Sequence, residues 1–428
     1  MPLVVLFLLL GAAVSVQAQA PASGGVLTLA DAERIALQQN PRIRAAGSQA
    51  EAADAAASGA AAELSPNLVA NLTAVGARKG SRIGAGQINP SSLINRTAAG
   101  VRVTQLISDF GQTRNRIKAA HLIAESADED VKAARSTVLL QVRRAYFDAL
   151  RAQATVRVSQ QTLDTRNLRL RQIRTLAENE LRSTLDVSFA QLSASEAELL
   201  VATAENQIQQ ALAQLEAAMG ADLADGLTLE PPPASPRLEQ AAPAYVPEAL
   251  AHRPDIAALR FRAEAGDRTA QSEHRLSRPV VTADAVMGAI PLREDGIRST
   301  YGAAGVNVAI PLFNGKRFSS RMAEADARAR AAAQELEALE NEVRQQVVSA
   351  WFQADTAWRQ IELNQKLVDQ SAEALRLAQT RYDLGLSSIV ELNQAQLAGI
   401  TAEIGLVTAR YDYEISRAAL LFTIGSAP

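Results

Sequence analysis

Side chains able to do covalent or metal chemistry are few in this chain and poorly grouped. The three histidines, His121, His252 and His274, stand apart, and none has acids at the spacing that holds a metal ion. Cysteine is absent, so disulfides and thiolate sites are excluded. Met219, Met287 and Met322 are scattered and form no relay of soft ligands for copper. No GxxxxGK[S/T] stretch offers a cradle for nucleotide phosphates. The expectation is a non-enzyme without cofactor or metal. A formal net charge of −3, with no Lys/Arg-rich block, also argues against a nucleic-acid partner.

The polar residues that remain are organised by an internal duplication. "TLAENELRSTLDVSFAQL" (175–192) aligns with "TRYDLGLSSIVELNQAQL" (380–397) at a shift of 205 residues. Thr175 meets Thr380, Leu181 meets Leu386, Ser183 meets Ser388, and Asp186 meets Glu391. Upstream, "ALQQNPRIRAA" (36–46) resembles "ALAHRPDIAAL" (249–259), and "SPNLVANLTAVG" (65–76) resembles "SRPVVTADAVMG" (277–288). "AAGVRV" (98–103) matches "AAGVNV" (303–308), Ala-Tyr-Phe at 145–147 matches Ala-Trp-Phe at 350–352, and Gly220 and Gly425 close the copies.

Around this repeat the elements can be placed. Residues 1–18 read as a secretory signal peptide, with cleavage after Ala20 as the alternative site. The first copy runs over 19–230, and "PPPASPRLEQAAPAYVP" (231–247) is a proline-rich connector expected to exclude regular helix. The second copy fills 248–428. Each copy reads as helix, strand, loop, strand, very long helix, tight turn, long helix. Gln112–Leu176 and Lys316–Leu384 contain no proline or glycine. At 1.5 Å per residue such helices extend about 100 Å and need a wall of neighbouring helices. Alanine dominates the apolar content and aromatics are only 4%, which suits close helix packing.

Four strands are expected at about 66–76, 97–107, 279–290 and 301–311. In each, one face is apolar: Leu68, Ala70, Leu72 and Ala74; Ala99, Val101 and Val103; Val281, Ala283, Ala285 and Met287; Val306, Val308 and Ile310. The other face gathers Asn71, Thr73, Arg102, Thr104, Thr282, Asp284 and Asn307. Such alternation fits a membrane barrel with lipid outside and water inside, and it also fits a half-buried soluble sheet. One chain cannot close a barrel with four strands, whereas three chains supply twelve.

These residues, with "QLISDFGQ" (105–112), "IPLFNGK" (310–316), "RYDLGLSSIVELNQAQL" (381–397) and "ARYDYEISRAALLFTIG" (409–425), resemble the TolC family of outer-membrane efflux proteins from about Leu27 to Gly425. The resemblance implies an α+β membrane protein: a homotrimer whose 12-stranded transmembrane β-barrel, four strands per chain, continues into a long α-helical periplasmic barrel. It implies residence in outer-membrane lipid and passive passage of substrate. The implied partners are an inner-membrane transporter and a periplasmic adaptor. A periplasmic coiled-coil adaptor or scaffold without a channel is the competing class, and the lipid-facing strand surface separates the two.

By motif position the resemblance also implies site residues. The two turns would dock the adaptor through Leu384, Gly385, Leu386 and Ser387, and through Asn179, Glu180, Leu181 and Arg182. Gly385 suits the left-handed residue that ends a helix, and Ser387 or Ser388 could cap the next one. The periplasmic constriction would fall on Asp186 and Glu391, with Tyr382 as a hydrogen-bonding residue beside it. In a three-fold assembly each acid becomes a ring that attracts cations. Gln394 stands where some members carry a second acid, and Ser387 where many carry an arginine, so a weaker gate is expected. Arg102, Asn307 and Asp284 would line the barrel lumen, unless Asp284 pairs locally with one of the other two.

Overall fold

A computed structural model describes residues 25–76, 82–83, 91–92, 96–224, 226–293 and 298–426. The signal-peptide expectation therefore lies outside the described residues. In order the elements are β1 (Val26–Leu27), α1 (Leu29–Gln39), α2 (Pro41–Ala61), β2 (Asn67–Val75), β3 (Arg82–Ile83), β4 (Ser91–Ser92) and β5 (Arg96–Ser108). There follow α3 (Gln112–Glu178), α4 (Thr184–Met219), β6 (Thr228–Leu229), α5 (Ala242–His252) and α6 (Pro254–Glu273). β7 (Val280–Leu292), β8 (Thr300–Ala309), α7 (Arg317–Asp383) and α8 (Ile389–Thr423) complete the chain. α3 and α7 are each 67 residues long.

Proline sets several boundaries. α1 stops at Gln39 because Asn40, preceding Pro41, is held extended (φ −63°, ψ 125°), and Arg253 does the same before Pro254. α5 corrects one expectation, since it begins inside the stretch read as non-helical. Pro243 falls in its first turn, where no backbone N–H has an intrahelical partner to lose, and Pro247 forfeits a single bond further in.

The chain divides into two compact units. Among the described residues, one falls within 25–41, 137–239 and 350–420, and the other within 42–136, 240–349 and 421–426. In the first, β1 and β6 form a short parallel pair held by Tyr146. The buried phenol of Tyr146 donates to the Leu27 carbonyl (2.8 Å) and is placed 2.7 Å from that of Glu230. Its burial pushes the phenol up to about 12. Arg143 pairs with Glu33 at 2.5 Å, and Asn40 donates to the Ala218 carbonyl at 2.8 Å. The connector is tied down by Glu414, which accepts from the Ser235 N–H (2.9 Å) and hydroxyl (2.7 Å).

The second unit holds a four-stranded antiparallel sheet in the order β2-β5-β7-β8. Its register aligns like with like: Leu68, Val103, Ala285 and Ala304 form one row, and Ala70, Val101, Met287 and Gly302 the next. On the opposite face Asn67, Thr104, Asp284 and Gly305 are in line. The apolar face is uncovered in the single chain, with Leu72 88% and Met287 70% exposed. β2 and β8 each have one strand neighbour among the described residues. Beside the sheet, the Asp109 carboxylate accepts from the N–H groups of Gly111 (3.1 Å) and Thr113 (2.7 Å), starting α3. α6 and α7 approach closely because Gly266, Ala270, Ala325 and Ala329 line their contact; a Cβ on Gly266 would stand 3.4 Å from the Ala329 Cα. Among the described residues no helix is long and apolar enough to cross a membrane.

Candidate functional site

The two helical turns of the first unit are built alike. In the first, the Glu180 N–H donates to Ala177 O (3.0 Å) and the Leu181 N–H to Leu176 O (2.9 Å). In the second, the Gly385 N–H donates to Tyr382 O (3.0 Å) and the Leu386 N–H to Arg381 O (2.8 Å). This bond pair is the Schellman end, which needs one left-handed residue. Gly385 fills it with φ 74°, and its repeat partner Glu180 fills it with φ 58°. The first turn thus has the same backbone as the second without the glycine.

The helices restart on serines. Ser183 caps α4: the Asp186 N–H donates to the Ser183 hydroxyl (3.2 Å), and the Ser183 N–H returns a bond to the Asp186 carboxylate (3.3 Å). This is a reciprocal capping box. For α8 the cap is Ser388, whose hydroxyl accepts from the Glu391 N–H (3.4 Å). The Ser387 hydroxyl oxygen is buried and finds no partner among the described residues. Asp186 and Glu391 both occupy the third helical position, where the helix dipole favours a negative charge. Glu391 also faces Arg381, with Nε to Oε1 at 3.4 Å.

Tyr382 lies beneath these turns, only 2% exposed, among Leu170, Ile173, Ala190, Ala194, Ile389 and Leu392. Its hydroxyl is buried without a partner among the described residues. Burial pushes the phenol above its usual range and the nearby Asp186 charge pushes it the same way, while Arg182 and Arg169 oppose. Arg182 reaches across from the first turn. It donates to the Tyr382 carbonyl (2.8 Å), and its guanidinium sits 4.1 Å from the centre of the Tyr382 ring. Residue 182 is the repeat partner of Ser387, so the arginine missing after the second turn stands after the first. A second bridge joins Arg169 to Gln379, which in turn donates to Asp383 at 2.7 Å.

Thus Asp186, Tyr382 and Arg182 come together, whereas Glu391 is engaged separately with Arg381. Arg182 was assigned by sequence to the docking turn; its contact with Tyr382 was missed, although the 205-residue alignment with Ser387 carried the signal. Leu181 (69%), Leu384 (68%) and Leu386 (66%) stand exposed at the two turns, with Asn179 and Glu180 exposed beside them. In the sheet, Arg102 lies opposite Val286 and Asn307 opposite Thr282. Asp284 accepts instead from the hydroxyls of Thr104 (2.9 Å) and Thr282 (3.2 Å). Of the histidines, His121 is exposed on α3, His252 contacts Glu248 O (3.1 Å), and His274 meets Asp326 (2.9 Å).

Comparison with known proteins is consistent with this geometry. The family model described as outer membrane efflux protein matches residues 34–221 and 245–426. The chain is 26% identical over 328 residues to the outer membrane efflux protein BepC of Brucella suis, covering 76% of this chain and 71% of the relative. To the outer membrane protein TolC of Vibrio cholerae it is 24% identical over 407 residues, covering 93% and 90%. The crystal structure of the outer membrane protein VceC from Vibrio cholerae superposes with a TM-score of 0.80 at 23% identity, over 93% of this chain and 96% of that one.

Proposed function

The chain belongs to the outer membrane efflux protein family and lies in the outer membrane with a periplasmic extension, and on that premise we propose that it is a trimeric channel-tunnel. It is the exit duct of a tripartite efflux or type I secretion system, passing substrate without chemistry from an inner-membrane transporter and a periplasmic adaptor. The observation that carries this reading is the sheet. One face is apolar and uncovered, the other is polar, and two strand edges have no second neighbour among the described residues. An edge with open backbone groups is not tolerated in lipid, so β2 of one copy must meet β8 of another. Three copies give twelve strands, with Arg102, Asp284 and Asn307 toward the water-filled side.

In this reading the turns narrow the periplasmic end. Asp186 and Glu391 present rings of carboxylate, and Arg182 clasped on Tyr382 holds the two turns of one chain together. The exposed leucines 181, 384 and 386, with Gly385, Ser387, Asn179 and Glu180 around them, form the surface on which the adaptor docks.

Single-channel recording of the detergent-extracted protein in a planar bilayer tests this. Small cation-selective openings, blocked by a trivalent cation and enlarged by Asp186→Ala with Glu391→Ala, are expected. Large unselective openings, unchanged by those substitutions, would keep the channel and remove both acids from its gate. Silence from folded protein would overturn the channel.

A further inference from the structure

Tyr301 has a prepared seat on the polar face of the sheet. Gly100 on β5 lies directly opposite Gly288 on β7, and Gly288 lies opposite Tyr301 on β8. The phenol ring crosses Gly288 and brings its hydroxyl end over Gly100, so that a Cβ on Gly100 would overlap Oη of Tyr301 and one on Gly288 would overlap both Oη and Cζ. Glycine weakens a strand interior, and two in register are costly unless another group must come close. Here an aromatic side chain covers both, a pairing that also supports strand register. By strand parity Tyr301 shares its face with Asn307, Asp284 and Arg102, and it remains 37% exposed.

We propose that Tyr301 is an aromatic plate that limits the size of solute able to cross the barrel, and that Gly100 and Gly288 keep it flat against the wall. This rests on the channel reading above, with the polar face turned inward. In a three-fold assembly the plate occurs three times at one height. Lying flat, it narrows the passage only by the thickness of a ring. Tilted upright, it would reach inward by its full length. A methyl group at Gly100 forces that tilt, because the flexible ring can move and the sheet cannot. The nearest backbone atom to such a Cβ, Met287 O at 3.0 Å, needs to give only a little. At Gly288 the Ala99 carbonyl would stand at 2.5 Å, so substitution there strains the backbone itself. Gly100 is therefore the cleaner test position.

The absence of native cysteine allows a single thiol to report passage. Ala303 faces the same side as Tyr301, two residues further from the β7–β8 connection. Ala303→Cys in intact cells is treated from outside with water-soluble maleimides of graded bulk, alone and combined with Tyr301→Ala, Gly100→Ala or both. The small reagent should label every variant at one rate. The bulky reagent should label faster after Tyr301→Ala and slower after Gly100→Ala, and that slowing should vanish when the ring is also removed. Equal bulky-reagent rates with and without Tyr301, or a slowing that persists in its absence, would overturn the plate alone. Labelling only by a membrane-soluble maleimide would overturn the inward polar face and the channel with it. If Gly100→Ala fails to reach the membrane, the Tyr301→Ala comparison still decides.

Discussion

At the scale of single residues, the repeat shows where the first copy departs from the second. Phe110 (φ 57°) and Glu180 (φ 58°) are left-handed, and their partners at the 205-residue shift are Gly315 (φ 66°) and Gly385 (φ 74°). At Glu180 and Gly385 the copies share a left-handed backbone while only the second has glycine; at Phe110 the first copy adds a left-handed glycine of its own, Gly111 (φ 96°), one residue later. A left-handed non-glycine residue costs about 1–2 kcal/mol. Glu180→Gly should therefore raise thermal stability by about 1 kcal/mol after the added entropy of the unfolded chain is subtracted, read as a higher melting temperature by circular dichroism. Gly385→Ala should lower it by a similar amount. A fall with Glu180→Gly would mean that the Glu180 side chain makes a contact worth more than the strain. Arg182 carries the second prediction at this scale. Arg182→Ala removes both the ring contact and the bond to the Tyr382 carbonyl, so single-channel conductance should rise. Arg182→Lys, which keeps the charge but loses the planar stack, should fall between the two. Equal conductance in all three would show that the clasp does not hold the constriction. What sequence could reveal here was uneven. Ser183 and Asp186 spell a readable capping box, but glutamate in a left-handed turn shows only by alignment to glycine, and the Arg182–Tyr382 contact joins residues 200 apart.

At the scale of elements, the long helices were legible because an absence defines them. Without proline or glycine nothing interrupts α3 or α7, and the duplication repeats their 67-residue length. Strand faces were legible from alternation, which register then places in common rows. α5 was not, because proline reads as a breaker and its tolerance in a first turn depends on where the helix starts. The β1–β6 pair was also hidden, being two residues per strand and dependent on Tyr146. Tyr146→Phe should cost about 1–3 kcal/mol, since it removes the donor to the buried Leu27 carbonyl. The pH response supplies its sign. The folded phenol sits near 12 against an ordinary value near 10, so its contribution is complete below about 10 and is lost as pH rises through about 12. Alkaline melting curves should therefore converge for wild type and Tyr146→Phe, having been well separated at neutral pH. A constant gap up to pH 12 would show that the phenol does not titrate with unfolding.

For the whole molecule, the sheet is where substitution separates a channel from a periplasmic scaffold. Leu72→Arg on the apolar face should cost about 2–4 kcal/mol if that face meets the centre of a bilayer, and should abolish recovery from the outer membrane. The same change on a surface that meets water would be near neutral, and unaltered yield would favour the scaffold. Native mass spectrometry of the wild-type protein should give three chains, and a monomer at working concentration would refute the closed barrel. The two incomplete edges also carry a kinetic consequence. If the barrel is closed by three copies, as proposed, four strands with an apolar face have no finished state to reach alone, and the last step of folding is an encounter between copies. Its rate should therefore rise with a power of chain concentration above one. Diluting the refolding chain should leave the helices formed and the sheets waiting, and adding chain late should release them together.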